Sequence, residues 1–156
     1  MHQIVIIGTV PPCPRCKLLT DIVKAKVELM KLEAEVKHVA YSSGEAHEIA
    51  SKVGLKPGTA KDVAQEIGGV VDALEMPKDV DFSELEFLGS LEPELKHLES
   101  LFLEVNIMDR WLRPFENEAV KAGILMTPTL IIDGEIEHSG SVPSLKSIDS
   151  WLGELK

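Results

Sequence analysis

The chain contains two cysteines, Cys13 and Cys16, which stand three positions apart between an apolar run and an amphipathic pattern. Residues 3–8 are mostly β-branched, which is typical of a buried strand. From Cys13 onward, apolar residues recur every three or four positions, which predicts a helix. The period shortens to two over residues 35–41, which predicts a second strand. The first 42 residues therefore predict a β-α-β unit with both cysteines at the N-terminus of its helix.

The last 43 residues carry the signals of a second unit with the order α-β-β-α. Asp133-Gly134 is a strong hairpin signal between two short apolar runs. Thr127-Pro128 stands directly before the first of these runs. The predicted elements are a short helix, two strands and a final amphipathic helix, at residues 115–122, 129–132, 135–138 and 145–155.

The residues between these two units have a different pattern and predict a mostly helical insertion at 43–113. Ser43 and Thr59 suit helix N-caps, each followed by a glycine at the expected helix end. A long amphipathic helix is expected from Pro93, and Pro114 is expected to end it because proline removes a backbone donor. We therefore expect a single domain over residues 1–156.

Composition and charge exclude several functions. The formal net charge is −10, with 26 acidic against 16 basic residues, so binding to nucleic acid is not expected. No apolar run approaches the roughly 20 residues of a membrane span, and the N-terminus lacks the basic region of a signal peptide. Two cysteines this close together differ from the wide spacing of secreted disulfide scaffolds. We therefore expect a cytoplasmic protein.

The combined order of these elements resembles the thioredoxin superfamily. The resemblance is to its short glutaredoxin-like form, with Cys13-Pro14-Arg15-Cys16 opening the first helix and Thr127-Pro128 before the third strand. It is most similar to the small redox-active-disulfide thioredoxins of archaea and anaerobic bacteria. The resemblance implies an α/β, thioredoxin-like fold with a four-stranded mixed sheet. It covers a core of residues 1–42 and 114–156.

The resemblance also implies a thiol–disulfide oxidoreductase. Cys13 is expected to be the exposed nucleophile and Cys16 the resolving thiol, with Thr127 and a cis Pro128 binding the substrate. A cysteine at a helix N-terminus has a lowered pKa, and we expect Pro14 and Arg15 to support its thiolate. The expected partners are a protein disulfide or dithiol and an electron-donor protein. No cofactor is expected beyond a disulfide between the two cysteines.

Other readings of the sequence remain open. Two cysteines could bind a metal, although a structural zinc site usually has four ligands and the five histidines show no paired spacing. The disulfide could instead regulate an interaction module, and the insertion could build a homodimer. A helical insertion also suggests an arsenate-reductase-like enzyme, although the prolines around Cys13 remove donors that would hold an oxyanion. Lys17 and His138 are candidates for proton transfer, or else surface residues.

Overall fold

A computed structural model describes residues 1–156 of the protein. The helices are α1 (Pro14–Leu29), α2 (Gly44–Ser51), α3 (Ala60–Glu66), α4 (Glu99–Glu118) and α5 (Leu145–Gly153). The strands are β1 (His2–Gly8), β2 (Ala34–Ala40), β3 (Lys56–Gly58), β4 (Ile124–Met126), β5 (Thr129–Ile132) and β6 (Glu135–Ser139). None of the helices combines the length and apolar character needed to cross a membrane.

The main sheet has the strand order β2-β1-β5-β6. β1 is parallel to β2 and antiparallel to β5, and β5 is antiparallel to β6, so the predicted four-stranded mixed sheet is confirmed. Because side chains alternate along a strand, Ile4 and Ile6 pack with α1 on one face while Val5 and Ile7 pack with α2 on the other. This arrangement buries β1 in the centre of the sheet and fixes where the chain leaves it, at Gly8.

Local signals in the sequence match the observed element boundaries. The Ser43 side chain accepts a hydrogen bond from the Ala46 amide at the start of α2. Thr59 and Asp62 form a capping box at the start of α3. Asp133 and Gly134 both have positive φ at the β5–β6 hairpin, as a tight hairpin turn requires. These helix starts and this hairpin were all predicted from single residues with a defined backbone preference.

The prediction that Pro114 ends one helix before another begins at Phe115 is wrong. α4 continues through Pro114 to Glu118, and the residues from Pro93 to Leu98 form a 3₁₀ helix that precedes it. Proline costs the helix one backbone hydrogen bond, but Leu112 and Phe115 on either side are both buried in one apolar cluster with α3 and β4. Tertiary packing therefore outweighs the local signal, and the predicted boundary at residue 113 lies inside a helix.

The insertion is helical but not regular, and it is joined to the core. Short 3₁₀ helices cover Val71–Ala73, Phe82–Glu84, Glu86–Ser90 and Pro93–Leu98. A strand that was not predicted, β3, pairs in parallel with β4 as a separate two-stranded sheet. Leu95 and Phe102 belong to the same buried cluster as Ile4 and Leu18. The insertion therefore completes the main core.

Because Leu95 is fully buried in that cluster, Leu95→Ala should lower the free energy of unfolding by about 3 kcal/mol. Urea unfolding followed by circular dichroism and by tryptophan fluorescence would measure it, and both probes should give one transition. Val120→Ala is the control, since Val120 is 64% exposed and its loss should cost less than about 0.5 kcal/mol. Two separate transitions would contradict a shared core.

Candidate dithiol site

The two cysteines lie together where the chain enters α1. Cys13 is the N-cap residue with an extended backbone, and Pro14 follows at the first helical position. The Cys13 and Cys16 sulfurs are 3.3 Å apart, and the Cys16 amide lies 3.5 Å from the Cys13 sulfur. A disulfide has an S–S distance of about 2.05 Å, so a small movement of the side chains would join the two sulfurs.

The two thiols differ in their access to solvent. Cys13 is half-buried, whereas Cys16 is 0% exposed. The Cys13 amide donates a hydrogen bond to Thr9 Oγ1 at 2.8 Å, which fixes the loop that presents the outer sulfur. An incoming molecule can therefore reach the Cys13 sulfur but not the Cys16 sulfur.

The same geometry separates the acidities of the two thiols. The hydrogen bond with the Cys16 thiol lowers the pKa of Cys13 to about 5, against the opposing effect of burial. The Cys16 amide, Thr9 and the charge of Arg15 lower this pKa further. The pKa of Cys16 is raised, first by its hydrogen bond with Cys13 and then by burial. Near neutral pH, Cys13 is therefore a thiolate that accepts a hydrogen bond from a protonated Cys16.

Arg15 is buried and connects several segments of the site, while its charge has only a secondary effect on the pKa of Cys13. Its guanidinium donates to Asp109 at 2.6 Å, to the Thr127 carbonyl at 3.4 Å and to the Gly140 carbonyl. The residue is 4% exposed. Its charge is the last of the causes that lower the pKa of Cys13. The predicted supporting role is therefore mainly that of tying three segments to the start of α1.

Asp109, the partner of Arg15, was not identified from the sequence. Burial raises the pKa of its carboxyl, against the opposing effects of Arg15 and of the Val142 amide, which donates to Asp109 at 3.1 Å. A signal for it exists in the sequence. Asp109 stands four residues after Val105 and seven after Phe102, so it occupies a core position of the α4 stripe. A charge at such a position calls for a buried partner.

The structure places Thr127 and Pro128 beside Arg15 and joins them by a cis peptide bond. Thr127 is 3% exposed, and its amide donates to the Gly58 carbonyl at 2.9 Å. Gly140 donates to the Pro128 carbonyl at 3.0 Å. The Thr127 amide is thus already engaged within the chain by β3, which the sequence did not indicate. Substrate binding by these two residues stays a prediction.

The two side chains considered for proton transfer are engaged elsewhere. Lys17 forms an exposed ion pair with Asp21 on the next turn of α1, which matches its interpretation as a surface residue. His138 contacts Ser141 at 2.8 Å, and Ser141 donates to Glu116 at 2.7 Å. Neither side chain takes part in the hydrogen bonds of the cysteines.

A different histidine lies next to the buried sulfur. A Cβ atom built on Gly8 would lie 2.6 Å from the Cys16 sulfur and 2.6 Å from His38 Nε2, so these two atoms lie on the same side of β1. His38 Nε2 is buried and has no hydrogen-bond partner. The sequence signal for His38 is its alternation with Val36, which faces α1.

The geometry gives no support to the two alternative chemistries. No three side chains of histidine, cysteine, aspartate or glutamate are grouped as a metal site requires. Arg15, the arginine of the cysteine motif, is engaged by Asp109 and two carbonyls, so it is not free to bind an oxyanion as arsenate reduction would require.

Comparison with known proteins gives one match. A family model described as a thioredoxin domain matches residues 113–153, which include β4, β5, β6 and α5 but not the cysteine motif. No curated protein and no solved structure matches the chain. The match covers about a quarter of the chain, and together with the four-stranded mixed sheet it supports a thioredoxin-like fold. The special similarity to archaeal and anaerobic members stays a prediction.

Cys13 should react with iodoacetamide as a thiolate down to acidic pH. The rate of alkylation should rise with pH to half its plateau at about pH 5, because the pKa of Cys13 is lowered to about 5. Mass spectrometry after digestion would assign the label, and Cys16 should remain unlabelled in the folded protein. A half-maximal rate near pH 8.5, about the value of a free cysteine, would contradict this electrostatic account.

Asp109→Asn should destabilise the protein by about 3 kcal/mol, because it leaves the buried Arg15 without a compensating charge. Denaturant unfolding would measure the loss. Glu104→Gln, an exposed change on the same helix, is the matched control and should cost less than about 0.5 kcal/mol. Equal stability of the two variants would show that the Arg15–Asp109 pair does not hold the site together.

Proposed function

We propose that the protein is a thiol–disulfide oxidoreductase that exchanges a dithiol and a disulfide with a protein partner through Cys13 and Cys16. The observation that supports this most strongly is the asymmetry of the pair. The two sulfurs lie 3.3 Å apart, yet one thiol is accessible and the other is fully buried. The first can attack a substrate, and the second can complete the reaction within the same molecule.

In the reducing direction, the Cys13 thiolate attacks one sulfur of the partner's disulfide. A mixed disulfide forms, and the other partner sulfur leaves as a thiolate that takes a proton from water. Cys16 then loses its proton and attacks the Cys13 sulfur, which releases the second partner sulfur as a thiolate. The partner gains two electrons, and the protein keeps a Cys13–Cys16 disulfide. The short distance between the sulfurs favours this second step because it is intramolecular.

The surface beside Cys13 favours a protein partner over a small thiol. Val10 is 67% exposed, and Pro11 and Pro12 after it are also exposed, so an apolar ridge borders the accessible sulfur. The net charge of −10 favours a partner whose contact surface is basic. We propose that a donor protein reduces the disulfide and that the chain works in the cytoplasm without a further cofactor.

Replacing the buried thiol should trap the partner. Cys16→Ser should leave the attack by Cys13 intact but stop the second step, so the mixed disulfide should accumulate with a model protein disulfide such as insulin. Non-reducing electrophoresis with mass spectrometry would detect the adduct, and dithiothreitol should release it. Turnover by Cys16→Ser should fall at least about a hundredfold.

Cys13→Ser is the matched control for this experiment. It should form no adduct and show no insulin reduction, because the remaining thiol is buried. Adduct formation through Cys16 in this variant would reverse the assigned roles. Absence of any adduct or turnover in the unmodified protein would refute the proposed function.

A further inference from the structure

An unpartnered nitrogen lies beside the buried thiol. His38 stands opposite Ile6 in the register of β2 and β1, two positions before the end of β2. Its Nε2 atom is buried without a hydrogen-bond partner. Buried polar atoms are nearly always hydrogen-bonded, so one without a partner calls for an explanation.

Gly8 has no side chain, so His38 Nε2 and the Cys16 sulfur can both lie close to its backbone. A Cβ atom there would lie 2.6 Å from both His38 Nε2 and the Cys16 sulfur, and 2.9 Å from Cys16 Cβ. No real Cβ atom tolerates such contacts. Because both atoms lie 2.6 Å from the same point, His38 Nε2 and the Cys16 sulfur are at most twice 2.6 Å apart. Because Gly8 has no side chain, its Cβ position stays open beside both atoms.

The second step of the exchange needs a proton acceptor at this place. Cys16 is 0% exposed, so water does not reach its thiol directly. Once Cys13 is bound in a mixed disulfide, it carries no charge and can no longer accept a proton. Burial continues to disfavour the Cys16 thiolate, which must nevertheless form for the attack.

His38 is suited to accept this proton. The ionisable groups that act on it lie in α1 or at its N-cap: Cys16 is adjacent, while Cys13 raises and Lys24 lowers the pKa of His38. Burial is the largest effect and lowers the pKa of His38 below the usual histidine range. The imidazole is therefore neutral near neutral pH. With its hydrogen on Nδ1, it presents a free electron pair on Nε2.

We propose that His38 Nε2 is the proton acceptor for the Cys16 thiol during release of the substrate, which rests on the proposed function. The proton passes from the Cys16 sulfur to Nε2 while that sulfur bonds to the Cys13 sulfur. The bond between Cys13 and the partner breaks, and its electron pair leaves on the partner's sulfur. The partly exposed imidazolium then returns its proton to solvent. In the reverse direction it protonates Cys16 as the disulfide opens.

The two chemical steps can be separated with Ellman's reagent. Attack by Cys13 on the reagent releases one thionitrobenzoate at a rate that depends on reagent concentration. Attack by Cys16 then releases a second one at a rate that does not. His38→Gln keeps a polar side chain of similar length but cannot accept a proton at neutral pH. Stopped-flow absorbance should show the second phase slowed roughly a hundredfold in this variant and the first phase unchanged within about threefold.

The pH dependence distinguishes proton transfer from a structural role. In the unmodified protein the second phase should stay level near neutral pH, because burial holds the pKa of His38 below the usual histidine range. In His38→Gln the rate of the second phase should rise steadily with pH, because the Cys16 thiol must then lose its proton to hydroxide. His97→Gln is the matched control, since the His97 side chain is exposed, and it should behave as the unmodified protein does.

Equal second-phase rates and pH profiles in His38→Gln and the unmodified protein would overturn the role of His38 while leaving the proposed function intact. Release of only one thionitrobenzoate by the unmodified protein would instead refute the proposed function. A measurement on the unmodified protein tests the same proposal even if the His38→Gln variant fails to fold. Nitrogen NMR of the reduced protein should show His38 neutral with its hydrogen on Nδ1, and a hydrogen on Nε2 would overturn the proposal.

Discussion

A buried guanidinium connects the parts of this molecule that form the dithiol site. Arg15 follows Cys13 by two residues and is bound by Asp109 from α4, the carbonyl of Thr127 and the carbonyl of Gly140. A buried charge is costly unless it is paired and hydrogen-bonded, so these three partners must stay in place for the N-terminus of α1 to pack as it does. The position of the two sulfurs depends on that packing. The positive charge of the motif is thus used mainly to assemble the site.

The insertion shares in this assembly. Asp109 comes from the long helix that the insertion contributes, and the Gly58 carbonyl in β3 accepts a hydrogen bond from the Thr127 amide. Leu95 extends the main apolar cluster from the same segment. The insertion therefore both completes the core and holds the segment around the cis Pro128. A thioredoxin-like frame without it would leave the Arg15 charge without its carboxylate partner.

Much of the fold could be predicted from the sequence because short-range rules determine it. Alternation and helical periodicity located β1, α1 and β2, and Asp133-Gly134 located the hairpin. The failures have one cause: long-range packing. α4 passes through Pro114 because apolar residues on both sides are buried together, and β3 forms only because β4 lies beside it. In the site, spacing indicated the cysteine pair, whereas Asp109 and His38 come close to the motif only in the folded chain.

The central claim is that Cys13 and Cys16 form a reversible redox couple, and a glutathione redox titration tests it most directly. Mass spectrometry of the native protein would count bound metal, and alkylation would count free thiols at each potential. The account predicts a single two-electron transition in which both thiols disappear together, with no metal bound to the reduced protein. Thiols that hold a metal ion, or that never form an intramolecular disulfide, would contradict it.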